Sequence, residues 1–137
     1  VRVGEETVGA VGAGLCVLVG VHRDDTEAQA RKLADKVWGL RVMADDDGVM
    51  NRSVADTSGE VLVVSQFTLM ADTAKGNRPS FSGAASYEKA AQLVEAYCTA
   101  LAAEGVRVQT GVFGARMSVG LVNDGPVTIL VDSRKGF

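Results

Sequence analysis

The amino-acid sequence predicts a single mixed α/β domain over residues 1–137, with two helices packed on curved, largely antiparallel, barrel-like sheets. Three observations predict it. The chain has 137 residues, close to the ~150 that one domain with one core takes. Two segments carry apolar residues at helical spacing behind a capping residue. Several short β-branched runs are separated by Gly, Asn and Asp, the residues of tight turns. Apolar residues at 47% and charged residues at 23% lie near the globular norm, which excludes disordered, collagenous and coiled-coil classes.

The elements follow in order. Residues 1–12 read as two short strand pieces around an acidic turn, and look like the middle of a hairpin whose first strand is missing. Residues 15–21 form a continuous apolar run, the pattern of a strand buried on both faces. Thr26 followed by Gln29 is a capping box, and Ala30, Leu33, Ala34, Val37 and Trp38 then share one helical face. Asp45-Asp46-Asp47-Gly48 reads as a hairpin turn between residues 40–43 and a short strand near Met50. A calcium loop fits poorly there, because setting Gly48 as the sixth position puts Met43 first and Val54 twelfth, where oxygen ligands are needed. Residues 60–69 are expected to be a central strand. Ser86 can cap a second helix that buries Ala90, Leu93, Val94, Tyr97 and Leu101 and ends at Gly105. Strands are expected at 106–113, at 117–122 and, after the turn Asn123-Asp124-Gly125, at 126–132.

The apolar runs fall far short of the ~20 residues a membrane span needs, and no basic-then-apolar leader opens the chain. A soluble, cytoplasmic protein without a membrane partner is therefore expected. Cys16 and Cys98 are far apart and outside any C-x-x-C pair, the pattern of free thiols in a reducing compartment. With His22 the only histidine, no zinc site is expected, and neither a Ser-His-Asp nor a Cys-His arrangement has much to build on. The net charge of −3 argues against a sequence-independent nucleic-acid binder. Its distribution is uneven, however. Residues 1–71 hold seven basic and eleven acidic side chains, residues 72–137 seven and six, so polyanion contact belongs to the second half.

Gly12-Ala13-Gly14 lacks the third glycine and the following helix of a dinucleotide fingerprint, and reads as a glycine hairpin. Without a Gly-Lys-Ser/Thr loop, Walker-type nucleotide hydrolysis is excluded. Two segments stand out. After the apolar run 61–64, Ser65-Gln66-Phe67-Thr68-Leu69 suddenly offers two hydroxyls and an amide, which either bond neighbouring strands or serve a ligand. Near the C-terminus, Val122-Asn123-Asp124-Gly125-Pro126-Val127-Thr128 carries a Gly-Pro bond for which cis costs only about 0.5–1 kcal/mol over trans. A proline opening a strand leaves carbonyls free to face a ligand, and an ordinary trans turn fits the same residues equally well.

Taken together, SQFTLMADTAKGNRPSF at 65–81 and GVFGARMSVGLVNDGPVT at 111–128 resemble the D-aminoacyl-tRNA deacylase family. The GVMNRSV hairpin at 48–54 and the GEVLVVSQFTL run at 59–69 fit the same pattern, so the resemblance covers essentially the whole chain. The departures are the family's opening strand, which this chain lacks before the Val3 region, and Met70, where the family often has an aromatic or small residue.

The resemblance implies a homodimer that hydrolyses the ester joining a D-amino acid, or glycine mischarged on tRNA-Ala, to the 3′ end of tRNA, with no cofactor. It implies a site shared between subunits. Ser65, Gln66, Phe67 and Thr68 of one subunit would shape the pocket and its oxyanion donors, and Gly125-Pro126 of the other, in the cis form, would reach the substrate's α-carbon. Phe81 and Met117 would line the adenosine side. Lys75, Arg78, Arg116, Arg134 and Lys135 are the candidate phosphate contacts, or else simply solubilising charges. An aminoacyl ester is already activated, so oriented amide donors and a water helped by the ribose 2′-hydroxyl would suffice. Thr68 as a covalent nucleophile would need a base that the neighbouring sequence does not supply. A small-ester hydrolase using Thr68 and a non-enzymatic nucleic-acid binding module are the alternative readings.

Overall fold

The computed structural model describes residues 1–134. The chain opens with a hairpin, β1 (Arg2–Val3) and β2 (Glu6–Thr7), turning at Gly4 with φ +60°. It continues through β3 (Gly14–Val19), α1 (Glu27–Gly39), a second hairpin of β4 (Met43–Ala44) and β5 (Met50–Arg52), β6 (Glu60–Ser65), a single 3-10 turn (Phe67–Met70), α2 (Tyr87–Ala103) and β7 (Val108–Thr110).

β6 is the centre of a three-stranded sheet, flanked by β3 and β7, and both pairings are parallel. A helix lies between each pair of sequential strands, and a crossover of that length returns the chain to the same end of the sheet, which makes parallel pairing the outcome. The architecture is thus mixed α/β with two helices, as expected. Its ladders correct the rest of that expectation: the antiparallel pairs are the two small hairpins, and the described strands form sheets of two, three and two strands with no closed barrel.

Alternation along β6 divides the core in two. Val61 and Val63 face the helices and pack with Ala34, Val54, Tyr97, Leu101 and Val106. Leu62 and Val64 face the opposite way, onto Val1 and the half-buried Val8, Val11, Cys16, Met117 and Val119. Each buried aliphatic side chain contributes about 1.5–3 kcal/mol, so both faces of one strand anchor the domain. The sequence pattern predicts β3 buried on both faces; among the described residues its one ladder partner is β6, so it is an edge strand, and Leu18 is 46% exposed.

The helices start where the capping residues predict. The Thr26 N–H and hydroxyl both donate to Gln29 Oε1, at 2.6 and 2.5 Å, and Ser86 Oγ accepts from the Lys89 N–H at 3.3 Å. α2 ends before Gly105, whose φ of +95° suits a residue without Cβ. Tyr97 is buried on this helix, and among the described residues its hydroxyl has no hydrogen-bond partner.

The expected strand at 60–69 ends at Ser65, because the backbone turns at Gln66 into the 3-10 turn and its side chain bonds Thr68 instead of continuing a ladder. The strand expected at 106–113 contracts to β7. Those at 117–122 and 126–132 do not form: the first is touched by a single antiparallel bridge between Arg2 and Ser118, and residues 120–130 are exposed throughout. The two edges of β6 are already occupied by β3 and β7, so this apolar stretch finds no ladder alongside that strand.

Candidate active site

The Ser65 to Thr68 segment sits at the C-terminal end of the central parallel strand, the end at which open α/β sheets bind their ligands. Its geometry is set by the backbone. The Gln66 N–H donates to Val19 O at 2.7 Å, which extends the ladder by one residue. The Leu69 N–H then donates to Gln66 O and the Ala71 N–H to Thr68 O, both at 3.1 Å, closing the 3-10 turn. The Phe67 and Thr68 amides open that turn and have no acceptor inside it.

The side chains complete a polar rim. Gln66 Nε2 donates to Thr68 Oγ1 at 2.5 Å, so the threonine oxygen receives a donor, and its own proton remains free for a ligand. That is the arrangement of a positioning hydroxyl rather than of a nucleophile, whose oxygen needs an adjacent base. His22 does not supply one: its Nδ1 accepts the Asp24 N–H at 3.1 Å. Phe67 stands 57% exposed and meets Phe81 edge-on with ring centroids 5.1 Å apart. Phe81 arrives on a strap whose Asp72 and Ser80 exchange two backbone hydrogen bonds of 2.8 and 2.9 Å, with Lys75 and Arg78 between them.

Behind Ser65 lies a cavity of about 330 Å³, walled by Val94 and Cys98 of α2 and by Gly111, Val112, Phe113 and Met117 of the loop after β7. Met117 rests on Gly111, where a Cβ would come within 2.4 Å of its sulfur. Burial, with a smaller push from Glu95, raises the Cys98 thiol to about 11, so at neutral pH it is overwhelmingly protonated and a slow nucleophile.

The structure therefore brings Phe81 to Phe67 and Met117 to the Ser65 cavity. Gly125-Pro126 belongs to neither the cavity lining nor the Phe67–Phe81 contact. Its peptide bond is cis, the form the resemblance implies, and it is held by Asn123, whose Oδ1 accepts the Val127 N–H at 3.1 Å and whose Nδ2 donates to Thr128 Oγ1 at 3.0 Å. Among the described residues no hydrogen bond or ring contact links it to the 3-10 turn. Of the candidate cations, Lys75, Arg78 and Arg116 are exposed and form no ion pair among the described residues. Arg134 instead pairs with Asp25 at 2.8 Å, and Lys135 lies outside the described residues. The cavity residues on α2, Val94 and Cys98, were legible in the sequence only as a helical stripe and a free thiol.

Amide donors and hydroxyls at a strand end, with an apolar cavity beside them, are chemistry suited to a hydrolase of activated acyl esters. The particular family follows from comparison. The family model described as D-Tyr-tRNA(Tyr) deacylase matches residues 1–132, and the chain belongs to that family. The D-aminoacyl-tRNA deacylase of Roseiflexus sp. (strain RS-1) is 59% identical over 133 residues, covering 97% of this chain and 86% of that protein. That of Anaeromyxobacter dehalogenans (strain 2CP-C) is 59% identical over 137 residues, covering 100% and 92%. Among solved structures, the c-Myc DNA unwinding element binding protein matches with a TM-score of 0.86 at 39% identity, over 93% of this chain and 87% of its own. A probable eukaryotic D-amino acid tRNA deacylase matches with a TM-score of 0.66 at 19% identity over 77% of each, a likeness of fold alone.

Proposed function

We propose that the chain carries out the D-aminoacyl-tRNA deacylation of its family at the end of β6, with the 3-10 turn as the catalytic element. The observation that carries this reading is the pair of amides at Phe67 and Thr68, which open the turn beside a threonine hydroxyl fixed by Gln66 at 2.5 Å. Water attacks the ester carbonyl, and charge develops on the carbonyl oxygen. Amide donors aimed at that oxygen each contribute about 2.7–4 kcal/mol to the transition state. The bond from the acyl carbon to the ribose oxygen then breaks, and the water's proton passes to that oxygen, helped by the neighbouring 2′-hydroxyl. Free D-amino acid and tRNA leave. Ser65 and Thr68 orient the substrate, Phe81 and Met117 flank the terminal adenosine, and Lys75, Arg78 and Arg116 meet phosphates, with Lys135 as a further candidate.

The reading takes a dimer, because among the described residues of one chain no hydrogen bond or ring contact joins Gly125-Pro126 to the turn. The exposed stretch at 120–130 supports it: Leu121, Val122, Ile129 and Leu130 are 58%, 93%, 50% and 68% exposed, an apolar strip of the sort that marks an interaction site. A partner subunit's Gly125-Pro126 backbone lying against the α-carbon would exclude an L side chain while admitting D residues and glycine, so glycyl-tRNA is a second substrate. No helix among the described residues is long and apolar enough to cross a membrane, and the work belongs with the tRNA pool in the cytoplasm.

The test is release of amino acid from matched D- and L-charged tRNA, with Thr68→Ala alongside wild type. Fast release from the D form alone, lowered but not abolished in Thr68→Ala, is expected. Equal cleavage of free D-amino-acid esters, or a trapped Thr68 ester, would replace this reading with a small-ester hydrolase. Tight binding of uncharged tRNA without turnover would leave only a binding module.

A further inference from the structure

We propose that Tyr87 is the positioning residue that holds the 111–117 loop against the Ser65 cavity, an inference that rests on the deacylase reading for its kinetic consequence. Tyr87 is the first residue of α2 and is 64% exposed, so core packing does not explain its orientation. It nevertheless makes a directed set of contacts. Its ring meets Phe113 edge-on with centroids 4.9 Å apart and planes inclined at 76°. The hydroxyl reaches Phe113 O at 3.5 Å, long for a hydrogen bond, so the ring carries the contact. The ring also lies on Gly114, where a Cβ would come within 2.6 Å of the tyrosine oxygen and 2.7 Å of Cε2.

The loop needs such a contact. β7 ends at Thr110, and up to Arg116 the remaining internal tie is the Ala115 N–H donating to Val112 O at 3.1 Å. Phe113 and Met117 of this loop line the same cavity as Ser65. Tyr87 thus couples a rigid helix start to a weakly tied wall of the site. An edge-to-face aromatic pair changes an equilibrium by up to about tenfold, which is the scale of the effect.

Tyr87→Ala should therefore raise KM for D-aminoacyl-tRNA about tenfold with kcat within about twofold of wild type, the signature of lost binding rather than lost transition-state contact. Tyr87→Phe should restore the wild-type KM, because the ring suffices. The melting temperature should be unchanged in both, as expected for an exposed side chain. A second readout does not depend on the substrate: alkylation at Cys98, which lines the same cavity as Phe113, followed by mass spectrometry, should be faster in Tyr87→Ala and at the wild-type rate in Tyr87→Phe. Wild-type KM and wild-type Cys98 labelling in Tyr87→Ala would overturn the proposal, as would a parallel fall in melting temperature and kcat. A wild-type protein that releases no D-amino acid would sink the deacylase reading, and the labelling alone would then decide the role of Tyr87.

Discussion

Two stretches of this chain have nearly the same chemistry and opposite fates. Residues 61–64 and residues 127–131 are both mostly apolar and mostly β-branched, the second broken by Thr128. The first lies between two parallel partners with every residue at most 5% exposed. The second joins no ladder among the described residues, and Ile129 and Leu130 remain 50% and 68% exposed. A strand-like sequence states what a segment needs, a ladder and an apolar neighbour; it does not state which molecule provides them. In the proposed dimer the same need that builds the core in one stretch builds the interface in the other.

The comparison can be broken first at the sheet. A Cβ at Gly14 would fall 1.8 Å from Glu60 O and 2.7 Å from Glu60 N, so Gly14→Ala must push β3 off β6. The expected loss is about 4 kcal/mol or more, comparable with the total stability of a small domain. Urea denaturation followed by circular dichroism should show a largely unfolded protein; a wild-type midpoint would mean that the β3–β6 pairing tolerates displacement.

Smaller in effect, Val122→Asp with Leu130→Asp addresses the exposed stretch. Both side chains are open to solvent in the single chain, so stability of the monomer should change by less than about 0.5 kcal/mol. Dimerisation should weaken by about 2 kcal/mol or more, roughly thirtyfold. Sedimentation across a concentration series checks this, and an unaltered oligomeric state would show that the strip is not the interface.

The smallest expected effect sharpens the description of the core. Tyr97 is buried with a hydroxyl that has no partner among the described residues, and a buried polar group without a bond costs about 1–3 kcal/mol. Tyr97→Phe should therefore raise the urea midpoint, by the equivalent of about 1 kcal/mol with an unchanged slope. A lower midpoint would indicate that the hydroxyl has a partner after all.

Sequence signals are legible where their physics is local. The caps at Thr26 and Ser86 and the Asp45 to Gly48 turn depend on bonds within a few residues, and each is formed. Strand direction is not legible, because parallel or antiparallel pairing depends on the crossover and not on the strand's own residues. Nor is the end of β6: residues 60–69 look continuous by composition, and the backbone break at Gln66 comes with a side-chain bond to Thr68. At the site, the SQFT and NDGPVT motifs stood out as polar or glycine-proline interruptions of apolar runs. The cavity behind Ser65 did not, since its walls come from α2 and from the loop after β7, which the sequence separates.

The central claim is that one working site takes its turn from one subunit and its Gly125-Pro126 from the other. Subunit mixing tests it directly, using two variants each inactive alone. Thr68→Trp blocks the turn, and Gly125→Val disturbs the other motif, where the backbone has φ +124° and a Cβ would sit 2.9 Å from Val127 Cγ2. Co-refolded in equal amounts, the two should form mixed dimers in half of the assemblies, each with one intact and one doubly damaged site. D-aminoacyl-tRNA hydrolysis should then return to about a quarter of the wild-type rate. A mixture that forms mixed dimers and stays inactive would mean that each chain builds its site alone, and would contradict the account.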